Sequence, residues 1–337
     1  MTTAPASFRL RPYEPADLDA VLRLLERALA GGPTGSRSAE FFDWKHEANP
    51  FGRSFALVAE EAGQLLGFRT FLRWRFRAGD RVIRAVRPVD TATDPEHQGR
   101  GVFSSLTRAA LAELPDSADV VFNTPNAQSL PGYLKLGWTS VGTVPIALRP
   151  VRPVRFARGV RHATRGAPGG PPPACPLPPA EDVLAGAAVG HLLEEHDDGR
   201  WSTQLSVVYL RWRYAQPPGL DYRAVTVEEG GTLVGLGLGR ARQRGPLREF
   251  LLAEMLTRPG DTTTARRILR GATRAGCDHV ATHLPTSCGL RRAGLATGYL
   301  SWPRLGMTLV AKPLGSVEPD PTVLSSWRFA LGDLEVF

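Results

Sequence analysis

The run Thr91-Ala92-Thr93-Asp94-Pro95-Glu96-His97-Gln98-Gly99-Arg100-Gly101-Val102-Phe103 passes from a strand pattern through two glycines straight into a helix pattern that continues to about Leu114. The first amides of a helix have no internal partner and lie at the positive end of its dipole, so such a turn can receive a pyrophosphate without a dedicated lysine. Glycine lets the phosphates approach the backbone closely. The turn has neither G-x-x-x-x-G-K-[ST] nor the third glycine of the dinucleotide fingerprint, which argues against nucleotide hydrolysis and hydride transfer. A second group follows: Asn123, Asn126 and Tyr133-Leu134-Lys135-Leu136-Gly137-Trp138.

In their order and contexts the two groups resemble the GNAT superfamily of N-acetyltransferases. Gly99, Arg100 and Gly101 match its [RQ]-x-x-G-x-[GA] turn, with Glu96 at the first position, and the Tyr133 segment is similar to its N-x-x-A-x-x-x-Y-x-K-x-G-[FW] ending. The resemblance implies acetyl-CoA or another acyl-CoA as co-substrate, and no metal. By the same resemblance, Thr91, Ala92 and Thr93 offer backbone groups to the pantetheine, Gln98, Gly99, Arg100, Gly101, Val102 and Phe103 surround the pyrophosphate, and Asn126 contacts the pantetheine or diphosphate region. Tyr133 inherits the role of the acid that protonates the leaving thiolate.

The chemistry implied is direct transfer, in which a neutral amine attacks the thioester carbonyl, the carbonyl oxygen needs a hydrogen-bond donor and the sulfur needs a proton. Asp90, just before the end of the donor strand, is one candidate base; its alternative is to cap or to pair with an arginine such as Arg87. The expected acceptor is a primary amine on a small molecule or peptide, and the acyl group is acetyl or longer, carried by coenzyme A or an acyl carrier protein. The rival reading is a non-catalytic acyl-CoA-binding or nucleic-acid-associated protein of the same fold, favoured by basic charge and by Glu96.

The elements that must position these residues read as mixed α/β. A strand over Phe8 to Tyr13 precedes an amphipathic helix through Leu18 to Leu25; a helix at Ser38 to Trp44, strands at Phe55 to Ala59, Leu65 to Arg75 and Val82 to Thr93, a strand at Val120 to Asn123, and a helix from Pro125 to Lys135 follow. The pattern then repeats. Trp44, Leu65 and Gly67 have counterparts in Trp212, Leu233 and Gly235, each 168 residues on. Two tandem GNAT-fold domains are expected, each a central, mixed, splayed sheet flanked by helices: residues 1–150 catalytic, 151–180 a Pro/Arg-rich linker, and 181–337 a degenerate copy with a C-terminal tail. The second copy carries Pro259-Gly260-Asp261 where the glycine turn belongs and Leu290 where Tyr133 belongs, so it is expected to wall the acceptor cleft without binding donor.

A looser similarity is to the tandem aminoglycoside acetyltransferases of the enhanced-intracellular-survival type, whose further C-terminal domain is too large to fit here. There the terminal carboxylate helps deprotonate the acceptor, a role that would fall to Phe337; the alternative is an ordinary terminal segment.

Composition sets the remaining bounds. Of 337 residues, 42% are hydrophobic and 22% charged, ordinary for a packed globular chain and against a disordered one. Only Lys45, Lys135 and Lys312 are lysines among 41 basic residues, and the net charge of +8 reads first as a solvated arginine-rich surface, with nucleic acid an unfavoured partner. No signal peptide stands out in residues 1–10, and the longest apolar run, Val183 to Leu193, is half a membrane span; a cytoplasmic protein without a membrane partner is expected. Cys175, Cys277 and Cys288 form no disulfide framework. His279 and His283 fall on a strand, about 13 Å apart, which disfavours zinc. The Gly235-x-Gly237-x-Gly239 run continues a strand and is read as close packing. Oligomeric state is left open by the sequence.

Overall fold

A computed structural model describes residues 8–29, 38–162, 173–193, 199–285 and 289–334. In chain order the elements are β1 (Arg9–Pro12), α1 (Leu18–Leu29), α2 (Ala39–His46), β2 (Phe55–Glu61), β3 (Gln64–Ala78), β4 (Arg81–Thr93), α3 (Val102–Glu113), β5 (Val120–Asn123), α4 (Leu130–Lys135), β6 (Thr139–Pro150) and α5 (Pro153–His162). They continue with α6 (Ala180–Ala185), α7 (Ala188–Leu193), β7 (Ser202–Thr203), α8 (Val207–Tyr214), β8 (Tyr222–Glu229), β9 (Thr232–Arg244), β10 (Leu247–Thr257), α9 (Thr262–Ala272), β11 (His279–Thr282), α10 (Leu290–Ala296), β12 (Leu300–Pro313) and α11 (Leu331–Leu334). The sheet is mixed and helices flank it, as expected.

The chain divides into two compact units, and the division is not a single cut near residue 150. The first comprises residues 1–76, 82–141 and 309–324; the second comprises 77–81, 142–308 and 325–337.

In the first unit β1, β2, β3, β4 and β5 are neighbours in that order, and the end of β12 lies antiparallel beyond β5, with Val310 opposite Asn123. Side chains alternate across the sheet as the pleat requires. Leu57 and Ala59 face a core with Val102, Leu106 and Ala110 of α3, while Val58 faces Val21, Leu24 and Leu25 of α1 and Phe42 of α2. Gly67 sets how close α3 lies: a Cβ there would stand 2.4 Å from Val102 Cγ1 and 2.9 Å from Leu106 Cδ1.

In the second unit β6, β11, β10, β9 and β8 are neighbours in that order, with β10 and β11 parallel and the other pairs antiparallel. The side chains of α9 fill the core through Ala265, Ile268 and Leu269. The glycine run of β9 is close packing: Cβ atoms at Gly235 and Gly237 would meet Thr264 and Ile268 of α9 at 2.3 and 2.6 Å.

Landmarks of the two units correspond. Ser38 caps α2 by accepting from Phe41 N, and Ser206 caps α8 by accepting from Tyr209 N. The β2–β3 register shifts between Ala59 and Glu60, and the β8–β9 register shifts between Val227 and Glu228, the same place in each hairpin.

Three local expectations are corrected. The helix expected from Pro125 begins only at Leu130, because the Asn126 side-chain carbonyl accepts from Gln128 N, Ser129 N and Ser129 Oγ and holds the preceding residues in a turn. The apolar run Val183 to Leu193 is two short helices parted at Gly186. Part of the connector, α5, is helical, packs Gly159 against Leu247, and brings Arg152 and Arg155 to 3.4 Å from Asp278; residues 163–172 lie outside the described part. Among the described residues no helix is long and apolar enough to cross a membrane.

Candidate active site

β4 and β5 pair only through Ala85↔Val120 and Val86↔Val121 and part beyond them. The end of β4, residues 87–93, therefore runs on toward α3 without β5 alongside. At the mouth of the gap Arg87 donates to Thr124 Oγ1 at 2.8 Å.

Asp90 meets α2. Its Oδ2 lies 2.7 Å from Lys45 Nζ and 2.9 Å from His46 Nε2, all three side chains being buried, and His46 Nδ1 is 3.0 Å from Ser54 Oγ. Asp90 has a left-handed φ of +43°, a conformation that costs a residue with a Cβ about 1–2 kcal/mol. The kink has a consequence for phase. Val86 faces the α3 core, and strict alternation would send residue 90 the same way; after the kink, Asp90 faces α2, Thr91 faces the α3 side and Ala92 packs among the α1 and α2 residues.

Thr91 Oγ1 and Tyr133 Oη both accept from Arg69 Nη1, at 2.8 and 3.3 Å. Tyr133, on α4, is buried, with its ring edge-on to Phe103 at 6.0 Å and to Trp138 at 5.2 Å. Thr91, Tyr133 and Phe103 thus converge on one side of β4. Arg69 escaped the sequence reading as one of four arginines on β3; its place in the apolar first half of that strand was the available signal.

Beyond Thr93, Asp94 caps a short turn of 3-10 helix by accepting from Glu96 N, and pairs with Arg27 at 2.7 Å. Gln98, Gly99, Arg100 and Gly101 are exposed, and the two glycines have φ of +78° and +80°, the region that favours glycine. Gly101 is the N-cap of α3 and supplies no side-chain cap, so the first amides of this twelve-residue helix face outward with nothing from Gly101 to cap them. Arg100 is turned away to Glu61, at 2.7 and 2.9 Å. Asn126 is exposed with its carbonyl committed to its own turn, which leaves its amide to meet a ligand. Phe337 lies outside the described residues.

The second unit departs at each of these points. Asp261 caps α9, accepting from Thr264 N at 2.9 Å, and on α10 it is Gly294 and not Leu290 that holds the place of Tyr133, since Tyr299 N donates to Gly294 O as Trp138 N donates to Tyr133 O. On β10 the register shifts between Leu252 and Glu254, and Glu254 Oε2 accepts from Tyr214 of α8 at 3.4 Å, much as Asp90 meets His46. Glu254 and Asp333 border a cavity of about 40 Å³. Burial, with the charge of Asp333 nearby, pushes the Glu254 carboxyl up to about 8. His279 Nε2 is 2.8 Å from Glu249 Oε2, and Cys288 is outside the described residues.

Residues 9–141 match the family described as acetyltransferase (GNAT) domain. Solved structures with the same fold include the GCN5-related N-acetyltransferase of Anabaena variabilis, 13% identical with a TM-score of 0.63, where 91% of this chain covers 73% of that one. The GCN5-related N-acetyltransferase of Kribbella flavida is 17% identical with a TM-score of 0.58, over 91% of this chain and 72% of that one. Eis1 of Mycobacterium abscessus is 16% identical with a TM-score of 0.55, over 91% and 74%. A comparison with curated proteins gives no match. Residues 9–141 therefore carry a GNAT acetyltransferase domain.

Proposed function

We propose that this protein is an N-acyltransferase that moves an acetyl or longer acyl group from acyl-coenzyme A to a primary amine of a small molecule or peptide. The observation that carries the reading is the uncapped start of α3 beside strands that part after Val86: donor-rich amides at one end of a gap, and the hydroxyls of Thr91 and Tyr133 at the other. The amides of α3 would hold the pyrophosphate. The gap would admit the pantetheine along Thr91, Ala92 and Thr93, and Tyr133 would pass its proton to the sulfur as the C–S bond breaks. The amine nitrogen forms the new bond to the carbonyl carbon, and the proton it loses restores the tyrosine or leaves through solvent, so the products are amide and free thiol. Asp90 serves this reading as the anchor of the kink that sends Thr91 toward Tyr133.

The second unit is read as a degenerate copy: its corresponding helix start is capped by an acid, and its α10 has glycine, Gly294, in the place of the tyrosine. Residues 1–150 and 181–337 would then descend from one fold, joined through 151–180.

Calorimetric titration with acetyl-CoA, coenzyme A and a long-chain acyl-CoA tests the reading. Binding to wild type that is lost in Gly101→Glu supports it, and the preferred chain length names the acyl group. No binding of any donor to wild type overturns it.

A further inference from the structure

We infer that Arg69 is a positioning residue for proton delivery, holding Tyr133 so that its hydroxyl hydrogen points to the leaving sulfur and steadying the negative charge that develops there. This rests on the reading of Tyr133 as the proton donor.

Arg69 lies on β3 and is fully buried. Its Nη1 uses both hydrogens, one on Thr91 Oγ1 and one on Tyr133 Oη. A guanidinium only donates, so the tyrosine oxygen is the acceptor in that bond and its own hydrogen must be directed to some other group. The remaining donors, Nε and Nη2, are buried with no hydrogen-bond partner among the described residues, and no carboxylate of those residues pairs with this arginine. Three rings surround the charge in place of an acid. The guanidinium carbon is 4.8 Å from the centroid of Phe103, 5.0 Å from Phe71 and 5.4 Å from Tyr133. Cation–π contacts offset only part of the cost of burying a charge, which is several kcal/mol when no counterion is supplied. A preorganised cation of this kind gains its return where negative charge appears during reaction, in a site that water does not screen.

The second unit supplies an internal comparison. Leu57 stands opposite Arg69 in the β2–β3 ladder, and Val225 stands opposite Gly237 in the corresponding β8–β9 ladder, two residues past Gly67 and Gly235 respectively. Gly237 thus occupies the place of Arg69, and Ile268 and Leu252 fill the space above it, within 2.6 and 3.1 Å of where a Cβ would stand. The unit with glycine, Gly294, in the tyrosine's place also lacks the arginine. A cation needed only to glue strand to helix has no reason to vanish with the hydroxyl.

The test reads the thiolate absorbance of bound coenzyme A in the ultraviolet as a function of pH, for wild type, Tyr133→Phe, Arg69→Met and Arg69→Gln, with affinity measured in parallel. Wild type is expected to ionise the bound thiol at lower pH than in free solution, and each variant to raise that midpoint by about one pH unit, the mark of a lost interaction with the charged form. Affinity for the protonated thiol, read below the midpoint, should change little, since Arg69 donates to Thr91 and Tyr133 and not to the groups that would hold the pyrophosphate. Where the Met variant does not hold its fold, the Gln variant is read the same way. A midpoint that moves in Tyr133→Phe and stays put in the Arg69 variants overturns the role of Arg69 alone. A midpoint unmoved in Tyr133→Phe overturns the proton-donor reading and the inference with it.

Discussion

Asp261 stands at the start of α9 where Gly101 stands at the start of α3, and the two leave opposite fields there: a carboxylate already seated on Thr264 N in one, bare amides in the other. A helix start can satisfy one anion, and in the second unit the chain has provided its own.

Placing the same group in the first unit gives the first prediction. Gly101→Asp should weaken acetyl-CoA binding at least tenfold, about 1.4 kcal/mol. Gly101→Ala, which adds backbone strain at φ +80° but no charge, should cost stability of about 1 kcal/mol and change affinity less. Calorimetry on the two variants separates field from strain; equal losses would mean that the turn's shape alone matters.

Tyr133→Phe should lower turnover by about a hundredfold or more while leaving donor affinity near that of wild type, because the ring stays packed against Phe103 and Trp138 and only the hydroxyl is lost. Steady-state rates on an amine found by screening, set beside calorimetry, check it.

Asp90→Asn should destabilise the fold by about 3 kcal/mol, since it takes from buried Lys45 the carboxylate 2.7 Å away. Pairing it with Lys45→Met should recover most of that loss. Thermal unfolding of the single and double variants measures the coupling; additive losses would show that the two side chains act apart.

Two acids of the second unit should oppose one another in pH. Glu254, raised to about 8 by burial and by Asp333, contributes stability that is complete below the ordinary value of 4.5 and is lost as pH rises through about 8. Glu249 is as deeply buried, which alone would raise it, yet the hydrogen bond with His279 and the charges of Arg242 and Arg244 hold it near 2; its stability is present above 4.5 and is lost as pH falls toward 2. Melting temperature should therefore decline between about pH 4.5 and 8 in wild type and flatten across that range in Glu254→Gln. An unaltered decline there in the variant would assign it to other groups.

Much of this was legible in the sequence because it is local. The glycines at 99 and 101, the serine caps at 38 and 206 and the constant offset between Trp44 and Trp212 each report backbone geometry within a few residues. What stayed hidden depends on contacts distant in sequence. The left-handed residue at Asp90 shifts the phase of β4, and a carboxyl that strict alternation would place toward α3 turns to Lys45 and His46. Arg69 reads as one more arginine in an arginine-rich chain until folding brings Thr91 and Tyr133 to it. The short start of α4 was missed because Asn126 ties up its own loop, a competition between side chain and backbone that periodicity does not register.

The strand that closes the first unit is made last. Asn123 of β5 meets Val310 of β12, so a ribosome that has finished residues 1–141 has not yet supplied the neighbour this strand requires. Until nearly the whole chain has emerged, β5 has an open edge and Tyr133 lacks Val310 from its core. Synthesis order thus keeps the first unit from maturing ahead of the rest, and a gene fragment cut at residue 150 would yield an unfinished sheet with an edge available for aggregation.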